Sequence, residues 1–588
     1  MKRLLFLVPF LLGGLLPGQT LQDSPRLGSL VRGADLYLSL QDAIAIALEN
    51  NLDVELQRIG PGFAETDIKR AQAGALPRGV PFSVREGPKS AGSSSADFLA
   101  PLLGPAPETN LSIAGQTQLS SGRLPPSLDP VFSGRVSRNH ATAPQVNSFQ
   151  AGTTSLIADT NSWNFAWQKG FLSGGEISAS SENTHQSLNH PRYDLTPFNA
   201  TSFGITFTQP LLRGFGTALN SRFIRIAVNS RRQSDLVFQQ QVISTAAAVI
   251  RLYWDLAGLN GDAEARRQAM QRAEKLLSDT QEQVEVGTRA PIEAVRAHAE
   301  VARSRRDLIA AESLVRQQET LLKDYLSRKT VSDPQLAGIR IITTDPLRAD
   351  RNERIPDQQA LAESALKSRP DIAQARIQIE STSLALMGSK DALRPSLDLI
   401  VSARNNGLAG DINPLTIPGA VPHNPDPILV GSYGTALSQL FRRNFPDYGI
   451  GVQLTIPLRN RAAEADHARD NLARRQQELR LVQLQKQVHV EIQNALIALE
   501  QARATLAAAE QEREFQEQAL AAEQEKLAVG ASTTYLVIQY QRDLAQARSA
   551  EIAAQAGYVK ARAALDRAGG TLLDAYGVSV TGVEVKSR

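Results

Sequence analysis

Histidine side chains are the groups in this 588-residue chain best suited to metal ligation or general acid–base chemistry. None of them stands in a His-Glu-x-x-His motif or at a comparable ligand spacing, and the chain has no Walker loop and no Gly-x-Ser-x-Gly elbow. Cysteine is absent, which excludes a thiolate metal site, a cysteine nucleophile, disulfides and an acylated N-terminal cysteine. The histidines are His140, His185, His190, His298, His423, His467 and His489. The sequence therefore predicts no enzyme, no cofactor and no metal site.

The N-terminus has the layout of a secretory signal peptide, assigned to residues 1–20. Lys2 and Arg3 precede an apolar run, but no small-residue cleavage site stands out, so a cleaved peptide and an uncleaved anchor both remain open. Past residue 20 we find no run of about 18 apolar residues, which predicts that any membrane crossing uses strands. The net charge is only +3, and the charged residues are spread along the chain, so no nucleic-acid partner is expected.

The sequence contains an internal duplication. The two copies must position any functional surface. Three pairs of segments match in order: Ala47–Val54 with Ala365–Ile372, Thr208–Leu212 with Thr455–Leu458, and Val286–Thr288 with Val529–Ala531. We predict two structural repeats that pack side by side, because neither copy is expected to bury its apolar face alone. The predicted boundaries are 35–328 for the first repeat, with an inserted loop at about 79–161, then a linker at 329–356, a second repeat at 357–570 and a tail at 571–588.

Each repeat contains one very long helix and a returning helix. The segments 216–286 and 459–529 lack proline and are rich in Ala, Gln, Glu, Arg and Leu, which predicts helices about 105 Å long at about 1.5 Å per residue. In the returning helices, apolar residues recur at coiled-coil spacing, for example Ala294, Val301 and Leu308. Abundant alanine allows close helix approach on more than one side, as a barrel of helices requires, although an ordinary coiled coil has the same signature.

Short alternating segments predict membrane strands. Such alternation between apolar and small or polar residues is typical of a transmembrane β-barrel, although soluble antiparallel sheets share it. The residues expected to face lipid are Phe203, Ile205, Phe207, Tyr448, Ile450, Val452 and Leu454, and the segments 163–167 and 397–402 have the same period. About two strands per repeat, four per chain, cannot close a barrel, so the strands predict an oligomer. Pro210 and Pro457 are predicted to mark the switch from strand to helix, in the first helical turn.

Together these residues resemble the TolC family of outer-membrane efflux proteins. The resemblance rests on the paired Ala-Leu-x-x-x-x-Asp openings, the Thr-Gln-Pro-Leu-Leu-Arg-Gly segment at 208–214 and the doubled Val-Gly turns. It implies a mainly α fold with a transmembrane β-barrel portion, in which a homotrimer forms a helical tunnel continued by a twelve-stranded barrel. It also implies a passive conduit in the outer-membrane lipid that docks to a periplasmic adaptor protein and an inner-membrane pump.

The Val-Gly turns are the expected tips of the helical hairpins, because glycine allows the left-handed conformation that a tight turn needs. The resemblance implies that an adaptor contacts Val286, Gly287, Thr288, Val529, Gly530 and Ala531. Relatives carry an acidic ring and an arginine after the second tip, where this chain has Leu536, Gln539 and Ser532, so that ring is in doubt.

After the first tip, Arg289 and Glu293 lie four residues apart on one helix face. They are placed to pair with each other or with a neighbouring chain as a closure latch, and an ordinary solvated ion pair fits the same spacing. The rival to a channel is a secreted coiled-coil spacer or adhesin stalk, which accounts for the helices and the export signal but for neither the strands nor the duplication.

Overall fold

The computed structural model describes residues 22–88, 90–91, 122, 124–148, 152–329, 334–347, 356–416 and 421–578. The predicted signal peptide at 1–20 lies outside the described residues. So do 92–121 of the predicted loop, 330–333 and 348–355 of the predicted linker, and 579–588 of the predicted tail.

The first half of the chain leads from short elements through four long strands to a helical hairpin. Helix α2 begins where the Ser39 hydroxyl accepts a hydrogen bond from the backbone N–H of Asp42 at 3.1 Å, an N-cap that satisfies a free donor of the first turn. The elements are α1 (Pro25–Leu30), β1 (Val31–Arg32), β2 (Asp35–Leu38), α2 (Leu40–Asn50), α3 (Leu52–Gln72), β3 (Val131–Pro144), β4 (Ser155–Gly170), β5 (Glu176–Leu188), β6 (Leu195–Pro210), α4 (Thr217–Asn220), α5 (Arg222–Glu285) and α6 (Pro291–Leu326).

The second half repeats the helix pattern of the first. Helices α2 and α8 both have 11 residues, and the returning helices α6 and α12 both have 36. The elements are α7 (Pro334–Ala337), β7 (Arg340–Thr343), α8 (Gln358–Ser368), α9 (Pro370–Ala392), β8 (Ser396–Ile412), a 3₁₀ turn (Pro427–Leu429), α10 (Tyr433–Arg442), β9 (Phe445–Thr455), α11 (Arg461–Ala528), α12 (Thr534–Gly569) and α13 (Leu572–Ala575).

The long helices appear where the proline-free segments predict them. Helix α5 has 64 residues and α11 has 68, so each is roughly 100 Å long. Helix α5 packs on α6 and α11 on α12, and α5 also contacts α3, α9 and α12. The result is two long antiparallel hairpins joined side by side.

One large sheet continues the helical part. Its strand order is β3-β4-β5-β6-β8-β9, and every neighbouring pair is antiparallel. Strand β6 of the first half pairs with β8 of the second, for example Phe207 opposite Val401. The sheet therefore joins the two halves of the chain, as the helices do.

The predicted number of strands is wrong. All four predicted segments lie in strands, namely in β4, β6, β8 and β9, but β3 and β5 bring the sheet to six strands. Strand β3 lies inside the range 79–161 that was predicted as loop. These two strands escaped the sequence pattern because β5 is almost entirely polar and β3 contains few apolar residues, and each barrel strand carries only a weak signal.

A second, three-stranded sheet ties the N-terminal segment to the predicted linker. Strand β2 pairs antiparallel with β1 and parallel with β7, which lies within 329–356. Under it, the Tyr253 hydroxyl donates to Asp345 Oδ2 at 2.8 Å and lies 3.1 Å from the Leu38 carbonyl oxygen. Burial raises the pKa of Tyr253, so its hydroxyl stays protonated and available as a donor. The main core cluster surrounds this tyrosine and contains Leu36, Leu38, Leu252 and Leu322.

Helix α5 bears on the expectation that no run of about 18 apolar residues follows residue 20. Among the described helices it alone contains an 18-residue window apolar enough, by length and composition, to cross a membrane, with a mean hydropathy of 1.3. Of that window, 72% is buried inside the protein, against the helices that surround it. Burial of this kind is what a core helix requires.

Candidate functional site

The large sheet has one apolar face. Residues that pair directly across antiparallel strands lie on the same face, so the register assigns every side chain to a side. The apolar face carries Phe132, Val136, Trp163, Phe165, Trp167, Ile177, Phe203, Ile205, Phe207, Val401, Tyr448, Ile450, Val452 and Leu454. Phe132 and Phe165 stack with ring centroids 5.9 Å apart. All seven residues predicted to face lipid belong to this face, where Phe207 is half-buried and the other six are exposed.

The opposite face of the same sheet is polar. Its residues include Ser162, Asn164, Ser178, Ser180, Glu182, Ser202, Thr206, Ser402, Arg404, Asn406 and Asp447. Arg404 Nη2 lies 3.0 Å from Glu182 Oε2 and donates to the Ser202 hydroxyl at 2.8 Å. Asn406 Nδ2 donates to Asp447 Oδ2 at 2.7 Å. A sheet with one apolar and one polar face suits a wall between lipid and water.

The two predicted switch prolines lie at or just after the end of a strand, and neither begins a helix. Pro210 is the last residue of β6, and the long helix α5 begins only at Arg222. Pro457 lies between the end of β9 and Arg461, where α11 begins. Their predicted place in a first helical turn is therefore wrong. The physical reason is that a linking segment follows each proline, so neither proline reaches the first turn of a helix.

The two helix tips have the same backbone design. Gly287 and Gly530 adopt φ values of +81° and +79°, in the left-handed region that favours glycine. The N–H of Gly287 donates to the Val284 carbonyl at 3.0 Å, and the N–H of Gly530 donates to the Leu527 carbonyl at 3.1 Å. Each turn thus satisfies the last carbonyls of a long helix before the chain reverses.

The tips present apolar side chains to the outside. Val286 is 78% exposed and Val529 is 80% exposed, and no atom lies within 4 Å of the position that a Cβ would take on either tip glycine. Thr288 and Ala531 complete the turns through backbone bonds to the Gln283 and Lys526 carbonyls. The structure thus brings the two tips to corresponding hairpin ends, each led by one exposed valine.

Arg289 and Glu293 do not pair with each other in the chain. Arg289 Nη1 instead donates to the Thr534 hydroxyl at the start of α12, which links the first tip to the second. Glu293 Oε1 pairs with Arg296 at 3.2 Å, one helical turn further along. An intrachain Arg289–Glu293 latch is therefore wrong, because each side chain finds a nearer partner.

Polar contacts near the tips, within one helix and between helices, were missed by sequence reasoning. Glu300 of α6 is buried and accepts from Arg542 Nε of α12 at 2.8 Å, and this bond raises the pKa of the Arg542 guanidinium. Glu523 of α11 accepts from the Ser532 hydroxyl and pairs with Lys526 at 3.2 Å, and these contacts lower the pKa of Glu523. The i, i+3 spacing of Glu523 and Lys526 could have predicted their ion pair from the sequence. No sequence pattern indicates the Glu300–Arg542 contact, because its residues lie on different helices.

Comparisons with known proteins agree with this geometry. A sequence model of the outer membrane efflux protein family matches residues 173–328 and 361–571, which is more than half of the chain. The chain belongs to this family. The matched residues contain four strands, β5, β6, β8 and β9, which is the number per chain that the resemblance implies. The match begins after β3 and β4.

Solved structures share the fold at low sequence identity. The Campylobacter jejuni CmeC outer membrane channel has a TM-score of 0.56 and 14% identity, with 92% of this chain and 90% of that chain covered. The outer membrane protein VceC from Vibrio cholerae has a TM-score of 0.55 and 14% identity, with coverages of 90% and 96%. A comparison with curated protein sequences finds no match.

Proposed function

We propose that the chain is a subunit of an outer-membrane channel that lets solutes pass from the periplasm to the exterior and catalyses no reaction. The observation that carries this proposal is the six-stranded sheet with one apolar and one polar face, set at the end of two helical hairpins roughly 100 Å long. Lipid covers the apolar face, water fills the side of Arg404 and Asn406, and the hairpins extend the passage into the periplasm.

An oligomer completes this channel. In lipid, the open edges at β3 and β9 leave backbone groups without partners, which costs several kcal/mol per group. As first and last strands of an all-antiparallel six-stranded sheet, they run in opposite directions and suit antiparallel pairing between copies. We propose a homotrimer in which three such sheets close one barrel of eighteen strands, in place of the twelve implied by the resemblance.

The helical part supports the same assembly. Helix α11 buries one apolar stripe against α12, α9 and α8, and it exposes a second stripe on the opposite side. The exposed stripe consists of Leu472, Leu479, Val482, Val490, Ile497 and Phe515. Leu472 and Leu479, like Val490 and Ile497, lie seven residues apart, and all six fall on one side of the helix, as in a helix that packs against another helix. We propose that a neighbouring copy covers it.

The tips are the proposed contact with partner proteins. Val286 to Thr288 and Val529 to Ala531 are exposed ends of rigid hairpins, and we propose that a periplasmic adaptor protein binds them and connects the channel to an inner-membrane pump. We also propose that the Arg289–Thr534 bond holds the two tips of one chain together and narrows the tunnel entrance.

Single-channel conductance in planar lipid bilayers tests the proposal. Wild-type protein should give small, discrete steps, and an Arg289→Ala/Thr534→Val variant should give larger steps because the two tips are no longer tied together. Arg303→Ala, on α6, which follows Arg289, but away from the tips, is the matched control and should leave the step size unchanged. Absence of steps from inserted, oligomeric protein would contradict the channel and favour the spacer.

A further inference from the structure

Helix α10 lies on the outside of the sheet, against the apolar face. An added Cβ at Gly407 would lie 2.2 Å from the Ala436 carbonyl oxygen, so this glycine is required for the close approach of the helix. Gly407 pairs with Thr201, and both belong to the face that carries Phe203 and Ile205. The helix contacts β8 and β6. It therefore crosses strands on the side that the proposed function assigns to lipid.

The helix covers polar side chains near the end of the sheet that is remote from the long helices. Tyr433 Oη donates to Asn183 Oδ1 at 2.9 Å, and the rings of Tyr433 and Trp163 meet edge to face at 5.3 Å. Gln439 bonds the backbone N–H and carbonyl of Leu408 at 2.8 and 3.0 Å. The Asn405 amide donates to the Leu440 carbonyl. These contacts fix α10 rigidly where the sheet surface stops being apolar.

The C-terminal end of α10 has an unusual composition. Phe441 is 86% exposed, and it is followed by the exposed residues Arg442 and Arg443. Within the described part of the chain, neither arginine has a carboxylate partner, whereas most arginines of the helical part do. One exposed aromatic ring thus adjoins two arginines without a carboxylate partner among the described residues.

The backbone at this point is also unusual. Arg443 has φ +54°, and it is the only non-glycine residue in the described ranges with a positive φ. The turn is closed by the N–H of Asn444, which donates to the Gln439 carbonyl at 3.1 Å. Glycine is the residue that this position favours, so an arginine is held here at a local conformational cost.

We infer that Phe441, Arg442 and Arg443 form a binding surface for anionic lipid in the outer leaflet of the membrane. The Phe441 ring enters the acyl region, and the guanidinium groups bind headgroup phosphates, for which the planar arginine fork is well suited. An amphipathic helix fixed at this level lies in the membrane interface. The inference rests on the proposed function, since that function places this end of the sheet at the outer leaflet.

Native mass spectrometry of the intact detergent-purified oligomer tests the lipid surface. The probes are phosphatidylglycerol and phosphatidylcholine with identical acyl chains, added to wild type and to an Arg442→Gln/Arg443→Gly variant. Glycine at 443 keeps the left-handed turn, so the helix remains in place. We expect about a tenfold loss of phosphatidylglycerol retention in the variant and no change in phosphatidylcholine retention. The matched control is Arg474→Gln/Arg475→Gln, an arginine pair on α11, which should retain both lipids like wild type.

A further variant and a competing anion distinguish lipid from other occupants of this surface. Phe441→Ser should lower the retention of both lipids, and millimolar inorganic phosphate should not displace phosphatidylglycerol from wild type. Equal retention of phosphatidylglycerol by wild type and the arginine variant would overturn the inference. Complete displacement of phosphatidylglycerol by phosphate would also overturn the inference and indicate a site for free anions. Loss of the oligomer in the arginine variant would overturn it too and indicate a subunit interface. If the arginine variant keeps the single-channel steps of wild type, a change in its lipid retention is not due to a failure of the channel.

Discussion

Helices α5 and α11 occupy corresponding places in the two repeats, yet their surroundings differ. They have 64 and 68 residues and both pack on a returning helix of 36 residues. Helix α5 is enclosed by α3, α6, α9 and α12, and it carries buried residues on several sides. Helix α11 buries one stripe and leaves Leu472, Leu479 and Val490 exposed on the other. The difference indicates that α5 serves the fold of the chain, and it supports the proposal that α11 contacts a neighbouring copy.

The largest effect is expected from charges on the exposed stripe of α11. In the Leu479→Asp/Val490→Asp variant, two carboxylates must be buried without partners when copies associate, which costs several kcal/mol per charge. We expect the variant to keep its helix content by circular dichroism and to lose its oligomeric state in analytical ultracentrifugation. The control Glu478→Asp/Glu491→Asp, off the stripe, should remain oligomeric. An intact oligomer in the stripe variant would contradict the proposed role of α11.

Shortening a buried side chain of α5 should lower the stability of the fold itself. Leu252 is buried in the main core cluster, so Leu252→Ala should lower the free energy of unfolding by about 2–5 kcal/mol. Leu479→Ala, on the exposed side of α11, should change the stability of the dissociated chain by less than about 0.5 kcal/mol. Chemical unfolding of the two variants under dissociating conditions measures both values. Equal effects would remove the distinction between the two helices.

A smaller, local effect is expected at the first tip. Gly287 has φ +81°, so Gly287→Ala should destabilise the turn by about 1 kcal/mol. Hydrogen exchange should increase in the peptide that spans the tip and remain unchanged in the long helices. Gly62→Ala is the matched control, because this glycine lies inside α3 with no atom within 4 Å of the added Cβ. That substitution should stabilise its helix.

The smallest effect is a pH dependence at the second tip. The Ser532 hydroxyl, assisted by Lys526, lowers the pKa of Glu523 below its usual value of 4.5. Since the folded pKa is depressed, the stabilisation is present above pH 4.5 and is lost as the pH falls through the folded value. Ser532→Ala should therefore speed hydrogen exchange at residues 526–533 at pH 7, after correction for intrinsic rates. An effect of equal size below the folded pKa would contradict this assignment.

The sequence predicts the helical part better than the sheet. Long proline-free segments and coiled-coil spacing define α5, α6, α11 and α12 to within a few residues, because helix formation depends on local pattern. Strand β5 contains only two apolar residues on its lipid-side face before Ser181 and Asn183, so its pattern resembles a loop. The Arg289–Thr534 bond joins residues of different hairpins and has no local signal at all.

The central claim is that copies of this chain pair β3 with β9 to close one barrel, and engineered cysteines test it directly. Because the chain has no cysteine, single cysteines at Ser133 or Ser137 of β3 can be combined with Gly449 or Gln453 of β9, all on the polar face. We expect at least one pair to form intermolecular disulfides that yield trimers on non-reducing gels, whereas Ser402→Cys/Gly449→Cys, which pair within one chain, should leave the monomer mass unchanged. If none of the four pairs cross-links in protein that inserts as an oligomer, the proposed barrel closure is wrong.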